Sequence, residues 1–184
     1  MGGVWDDHDY GGNDMGANMP NKKERQTIYR DFLSLDHPTA NRDGMYHRID
    51  FENGKIRFLV LDTRWHREDH CIPSFAHAIP KGNAVACLTR WLTSGLLLHR
   101  YSYLWNKKDC GTAKLLGEDQ WTWLEKELSL SSESDSESFE EEESSLEPPE
   151  LFIILSSIQV WSTNPVMESW GQFPQEQERL YNLL

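Results

Sequence analysis

Three carboxylates and an imidazole stand side by side near the start of the chain, as Asp6-Asp7-His8-Asp9. Carboxylates are hard oxygen ligands for metal ions, and an imidazole can bind a transition metal or move a proton. A carboxylate beside an imidazole can also fix its tautomer and raise its basicity. The run therefore predicts a metal and proton-transfer site, with a solvated turn at a strand end as the simpler alternative.

A second polar group, Asp62-Thr63-Arg64, follows an apolar run at the point where α/β sheets usually place ligands. The planar guanidinium of Arg64 can bind two phosphate oxygens and stays charged at any working pH, so we predict a phosphate contact. The alternative is a salt bridge between Arg64 and Asp62 or a neighbour. We expect Asp62 to be structural rather than a metal ligand.

A third group has the spacing His66-x3-His70-Cys71, with His77 and Cys87 further along. Two histidines four positions apart match a zinc spacing, but the pair of cysteines that would complete such a site is absent. The alternative, which we favour, is a set of polar residues on an irregular insertion.

The acidic run 6–9 must be positioned by a regular element of structure. Gly3-Val4-Trp5, which comes directly before it, is typical of the end of a buried strand. Helical spacing of apolar residues predicts a helix over 22–35. Two strands are predicted over 46–51 and 55–61, joined at Asn53-Gly54, because this pair suits the positive φ angles of a tight hairpin turn.

The second half of the chain predicts three further elements. A short helix is expected over 116–128, with Trp121, Leu124 and Leu128 on one face. Residues 151–155 predict a buried strand. Pro174 suits the first turn of a last helix over 175–184.

Between these elements lies a segment of unusual composition, 129–150, which holds nine of the 30 acidic residues and none of the 18 basic ones. Such a segment cannot bury enough apolar area to offset its ordering entropy, so we expect a disordered insert. We divide the chain into 1–128, the insert 129–150, and 151–184 as a continuation of the same domain. The remainder is nearly neutral, which argues against sequence-specific nucleic-acid binding. The longest apolar stretch, 84–105, is too interrupted for a transmembrane segment.

Four blocks of the sequence together resemble PhoD-like (alkaline phosphatase D) metallophosphatases. The first is the W-D-D-H-[DE] run with its flanks, and the second is a strand that ends in Asp-Thr-Arg. The third is similar to an L-G-x-x-Q-W-x-W-L helix, and the fourth to the following strand and loop. In this chain the blocks are residues 3–11 with Asn13, residues 59–64, residues 116–124, and residues 156–159 with 168–174.

The resemblance implies an α/β (α+β) fold, part of a calcineurin-like metallophosphoesterase sandwich of two β-sheets flanked by helices. It implies a metal-dependent phosphoric ester hydrolase that uses a metal-activated water on a phosphate ester or phosphodiester. Two metal ions would be expected, drawn from Fe, Ca, Zn or Mn. By the same resemblance Asp7 would be a metal ligand, His8 would protonate the leaving group or steady the phosphoryl oxygens, and Asp9 would orient His8.

Three further residues are weaker candidates for substrate binding. Asn13 either binds substrate or forms the glycine-rich turn. Gln159 stands where related phosphoesterases often place a metal-binding histidine. Trp170 either walls the cleft or belongs to the core.

Two motifs of the family, an upstream aspartate motif and a downstream G-D-x-H motif, do not occur in this sequence. We therefore expect an incomplete set of metal ligands and negligible turnover by this chain alone. The alternative function is a catalytically inactive, phosphatase-like scaffold or interaction protein whose acidic serine-rich linker is phosphorylated.

Overall fold

The computed structural model of the protein describes residues 2–12, 14–33, 42–68, 92, 112–129, 148–162 and 168–184. These residues contain both helices and short strands. In chain order the elements are α1 (Asp7–Tyr10), α2 (Lys22–Leu33), β1 (His47–Phe51), a 3-10 turn (Glu52–Gly54), β2 (Ile56–Val60), α3 (Glu118–Ser129), β3 (Leu151–Leu155), a second 3-10 turn (Trp170–Gln172) and α4 (Pro174–Leu183).

The strands form a mixed three-stranded sheet in the order β1-β2-β3. The antiparallel pair β1 and β2 confirms the predicted hairpin, and its turn has Asn53 at φ 57° and Gly54 at φ 93°. Strand β3 lies parallel to β2, which requires a crossover connection, and α3 belongs to that connection. The fold is therefore a mixture of helices with a mixed sheet, while the second sheet of the expected sandwich stays a prediction.

One face of the sheet packs against α3 and α4. The two helices confirm the predicted ones within a few residues, and Pro174 occupies the first turn of α4 as expected. Trp121 and Leu124 are buried in the core between the helices and the sheet, and Leu128 packs at its edge. The indole rings of Trp121 and Trp170 meet edge to face at 6.2 Å. This core fixes the carboxyl ends of β2 and β3, where the polar residues begin.

The prediction that residues 151–155 are buried is wrong in part. Leu151 is 49% exposed and Leu155 42% exposed, while Phe152 and Ile154 pack against the core. Alternation along a strand explains the difference, because successive side chains point to opposite faces of the sheet. The other face of β3 carries Leu151 and Leu155.

A second core lies beneath α1 and consists of Trp5, Tyr10, Met19, Met45 and Trp65. The predicted strand at residues 3–5 is wrong, since residues 2–6 form no strand in the structure. The chain is held here by the Trp5 side chain, which is fully buried and stacks on Trp65 at 6.2 Å. Side-chain packing thus replaces the backbone pairing that a strand would have used.

Several predictions fall on residues outside the described part of the chain. Helix α2 is described to Leu33, so residues 34–35 of the predicted helix are not covered. Most of the predicted disordered insert, 130–147, is also outside, although Ser129 belongs to α3. Among the described residues no helix is both long and apolar enough to cross a bilayer.

Candidate functional site

The acidic run is positioned by the aromatic residues on either side of it. Trp5 and Tyr10 are both fully buried, and their rings lie 4.9 Å apart. Burial, followed by the charge of Asp62, raises the pKa of Tyr10, and its hydroxyl donates a hydrogen bond to the Gly16 carbonyl at 3.3 Å. Because the two rings are anchored in the core, the residues between them form α1 at the surface.

Asp7 lies at the start of α1 and is half-buried. Its Oδ1 accepts the His8 backbone N–H at 2.7 Å, and its Oδ2 accepts the Asp14 N–H at 3.1 Å. Two backbone donors therefore hold the carboxylate in one orientation. Asp14 has a φ of 56°, in the left-handed region that aspartate tolerates better than most residues.

Asp7, Asp14 and Glu168 bring carboxylate oxygens within 4.8 Å of one another. Asp14 is 5% exposed, and the other two are half-buried. Three carboxylates suit a hard cation such as Mn²⁺, Ca²⁺ or Mg²⁺, whereas Fe or Zn would favour a nitrogen ligand in addition to these three groups. The donor set therefore fits a metal ion, and it includes the Asp7 that the sequence pointed to.

Arg64 is 1% exposed and is surrounded by carboxylates. Its Nη1 and Nη2 donate to the two oxygens of Glu168 at 2.8 and 2.7 Å, and its Nε donates to Asp6 at 3.0 Å. A second contact joins Nη2 to Asp6. Burial alone would lower the pKa of Arg64, but the hydrogen bonds and charges of Glu168 and Asp6 outweigh it and raise that pKa.

These contacts bear on the two alternatives for Arg64. The side-chain salt bridge is formed, with Asp6 and Glu168 rather than with Asp62. A phosphate could reach the guanidinium only by displacing one of those carboxylates. The predicted phosphate contact stays a prediction.

Arg67 contacts the same carboxylate and is 2% exposed. Its Nε lies 2.7 Å from Glu168 Oε1, and its Nη1 donates to the Asp14 carbonyl at 2.7 Å. Glu168 thus lies between two guanidinium groups, which fix its carboxylate next to Asp7 and Asp14.

His8 and Asp9 lie on the exposed side of α1. The Asp9 carboxylate accepts the Asp6 backbone N–H at 3.3 Å and so closes the first turn of α1. Within the described residues Asp9 and the His8 ring form no hydrogen bond, and the predicted orienting role of Asp9 stays a prediction. The His8 side chain is exposed to solvent.

Asp62 is structural in its contacts, as expected. Its buried carboxylate accepts three backbone N–H groups, from Met45 at 2.7 Å, Arg64 at 2.8 Å and Trp65 at 3.0 Å. The next side chain, Thr63, is also buried and shares a 2.6 Å hydrogen bond with Ser157. Asp62 therefore ties the segment after β2 to the segment before β1.

The three weaker candidates have different positions. Trp170 is fully buried and its indole N–H donates to the Ser156 hydroxyl at 3.0 Å, so it belongs to the core. Gln159 has an exposed side chain and pairs through its backbone with Ser169. Asn13 lies outside the described residues.

His66, from the predicted zinc group, lines a separate cleft of about 400 Å³ with Lys22, Trp65 and Glu118 among its other walls. Burial lowers the pKa of His66. His70, Cys71, His77 and Cys87 lie outside the described residues, so the zinc prediction stays untested. The described walls carry charges of both signs, which gives no preference for an anion or a cation.

Sequence reasoning missed three residues of the site, namely Asp14, Arg67 and Glu168. Asp14 follows the glycines after α1, and Glu168 is the first residue of the stretch 168–174 in the fourth block of the family resemblance. The charge of Asp14 and Glu168 could have marked them as candidate ligands, since both lie near other candidate residues in the sequence. Sequence spacing alone does not show that positions 14, 67 and 168 meet.

Comparison with known proteins gives one informative match. No family model matches the chain, and no curated protein matches it. A solved structure of PhoD matches 98% of this chain, with a TM-score of 0.52 and 19% sequence identity. The chain has a PhoD-like fold. It spans 30% of the length of the PhoD chain, so the likeness concerns the fold of that portion.

Proposed function

We propose that this chain carries part of the metal centre of a phosphoric ester hydrolase, a phosphomonoesterase or phosphodiesterase that uses a metal-activated water. The observation that carries the proposal is the convergence of Asp7, Asp14 and Glu168 in a PhoD-like fold. Because the chain spans 30% of the PhoD chain, the activity of the whole enzyme is part of the proposal.

The carboxylates would hold the metal. Asp7 is the main ligand, because its two backbone hydrogen bonds keep both oxygens in place before a cation arrives. Asp14 and Glu168 supply further oxygens. A bound divalent ion would lower the pKa of a water molecule and neutralise charge on phosphoryl oxygens. A second ion, as the sequence resemblance implies, would need ligands beyond these three carboxylates.

His8 would serve the leaving group. His8 follows Asp7 directly in the sequence and its side chain is exposed, so we assign to it the donation of a proton to the departing oxygen of an ester. The predicted role of Asp9 would require its carboxylate to turn from the Asp6 N–H toward the ring. The predicted role of Arg64 would require a phosphate oxygen to replace Asp6, the more exposed of its two carboxylate partners.

Metal binding is the first test. Titration calorimetry with Mn²⁺ on the 184-residue chain should show binding that the substitution Asp7→Asn weakens by about tenfold or more, since ligand charge sets affinity. Asp43→Asn is the matched control, because Asp43 is exposed and pairs only weakly with Lys23 at 3.7 Å. Equal Mn²⁺ affinity in the wild-type and Asp7→Asn chains would contradict the proposed metal centre.

The substrate class is the second test. Inorganic phosphate should bind the chain in the presence of Mn²⁺ and not in its absence, and His8→Ala should weaken that binding. Hydrolysis of a chromogenic phosphodiester is expected to be negligible with this chain alone, and any turnover should fall in His8→Ala. Mn²⁺ binding without phosphate binding would instead favour the non-catalytic alternative.

A further inference from the structure

Arg67 is a buried arginine that joins two segments of the candidate site. Its guanidinium contacts the Asp14 carbonyl through Nη1 and the Glu168 carboxylate through Nε, both at 2.7 Å. The Phe173 ring lies 5.5 Å from the guanidinium carbon and packs against it. Asp14 and Glu168 are far apart in sequence, so a shared side-chain partner fixes their relative position.

The backbone of Arg67 also contacts the loop 14–17. Its carbonyl accepts the Ala17 N–H at 2.7 Å. Both ends of the loop 14–17 are therefore attached to one residue, one end through the side chain and the other through the main chain. This support matters at Asp14, whose φ of 56° costs free energy outside such a framework.

We propose that Arg67 is a positioning residue of the site, which holds the loop of Asp14 and the carboxylate of Glu168 against Asp7. The inference rests on the proposed function, because it concerns the binding of a cation at those carboxylates. A planar guanidinium can span the carbonyl and the carboxylate at once, whereas an ammonium group is a single point of charge. Lysine at this position should keep the charge and lose the span.

The test compares Mn²⁺ binding to the wild-type chain and to Arg67→Lys by titration calorimetry. Residues that orient metal ligands typically change metal affinity by about 10- to 100-fold, and we expect a weakening of about tenfold. Arg57→Lys is the matched control, because Arg57 is a buried arginine with two oxygen partners, Asp50 at 2.8 Å and Glu127 at 3.2 Å, away from the acidic cluster. Arg57→Lys should leave Mn²⁺ affinity unchanged.

A double-mutant cycle separates positioning from a general structural effect. If Arg67 acts through Asp14 and Glu168, Arg67→Lys should weaken Mn²⁺ binding in the wild-type background and have little further effect in a background that carries both Asp14→Asn and Glu168→Gln. A purely structural effect would be additive. Hydrogen exchange on the wild-type chain is a further test that needs no variant. Mn²⁺ should slow exchange of the Ala17 amide and leave the exchange rates of the β1 amides unchanged.

The outcomes distinguish the inference from the proposed function. If the wild-type chain binds Mn²⁺ and Arg67→Lys binds it equally well, the positioning role is wrong and the metal centre stands. Additive effects in the cycle, or no Mn²⁺-dependent protection of Ala17, would also overturn the role. If the wild-type chain does not bind Mn²⁺, the proposed function fails and the inference fails with it.

Discussion

The close approach of Gly16 to Arg67 makes the site sensitive to one methyl group. A Cβ placed on Gly16 would lie 2.3 Å from the Arg67 carbonyl oxygen and 3.1 Å from the carbonyl carbon. Non-bonded heavy atoms pack at roughly 3.5 Å, so the substitution Gly16→Ala should force the two segments apart by about 1 Å. The obstacle is backbone, which cannot rotate away as a flexible side chain could.

The loop that contains Gly16 should move rather than the segment that contains Arg67. That segment is held by the Asp62 carboxylate and by the hydrogen bond from the Glu68 N–H to the Lys114 carbonyl at 2.8 Å. Displacement of the loop would break the bond from Ala17 to Arg67 and the bond from Tyr10 to Gly16. At about 1 kcal/mol for each hydrogen bond, Gly16→Ala should lower the free energy of unfolding by about 2 kcal/mol.

The same displacement should weaken metal binding. Metal–ligand distances tolerate deviations of about 0.2 Å, so a shift of about 1 Å near Asp14 should lower Mn²⁺ affinity by about tenfold or more. Calorimetry measures the affinity, and urea unfolding measures the stability. Gly12→Ala is the control, because its Cβ would meet only the Met15 side chain at an ordinary 3.7 Å. The reasoning is refuted if Gly16→Ala matches Gly12→Ala in both measurements.

Two predictions concern stability. Asp62→Asn replaces one of the two carboxylate oxygens that accept backbone N–H groups with an amide donor. We expect the free energy of unfolding, measured with urea, to fall by about 2 kcal/mol. A fall below about 0.5 kcal/mol would contradict the structural role of Asp62. Burial lowers the pKa of both His47 and His66, so the unfolded chain binds protons more readily than the folded one. The free energy of unfolding should therefore fall as the pH drops below 6.5, the ordinary value of histidine, and His47→Gln should reduce that fall between pH 7.5 and 5.5. Equal pH dependence in His47→Gln and the wild type would contradict it.

Local signals account for the parts of the fold that the sequence predicted. The Asn53-Gly54 turn, the amphipathic α3 and the proline at the start of α4 each depend on neighbouring residues, and each is present in the structure. Helical spacing also predicted α2 but not its buried face. Phe32 is 78% exposed, while Gln26 is buried and donates to the Gly44 carbonyl at 2.7 Å. This tertiary hydrogen bond holds Gln26 on the buried face, and helical spacing of apolar residues cannot predict it.

The site was predictable only in part, for a related reason. Asp7 and His8 stand in a run whose chemistry is evident from residue types, whereas Asp14 and Glu168 join them through contacts across the chain. Arg64 shows the limit of arguing from residue type. A guanidinium suits a phosphate and a carboxylate equally well, and only the structure shows that two carboxylates already surround it.

The charged groups at the site indicate which kind of ligand it can bind. Within the described residues four carboxylates meet two guanidinium groups, and they belong to Asp6, Asp7, Asp14, Glu168, Arg64 and Arg67. Arg64 pairs with Asp6 and Glu168, and Arg67 contacts Glu168 as well, so carboxylates engage both guanidinium groups. The oxygens of Asp7, Asp14 and Glu168 lie within 4.8 Å of one another, and a partly buried place has a lower dielectric than water, which strengthens repulsion between carboxylates. A divalent cation bound by Asp7, Asp14 and Glu168 would offset that repulsion, so the closeness of the three carboxylates supports the proposed metal centre.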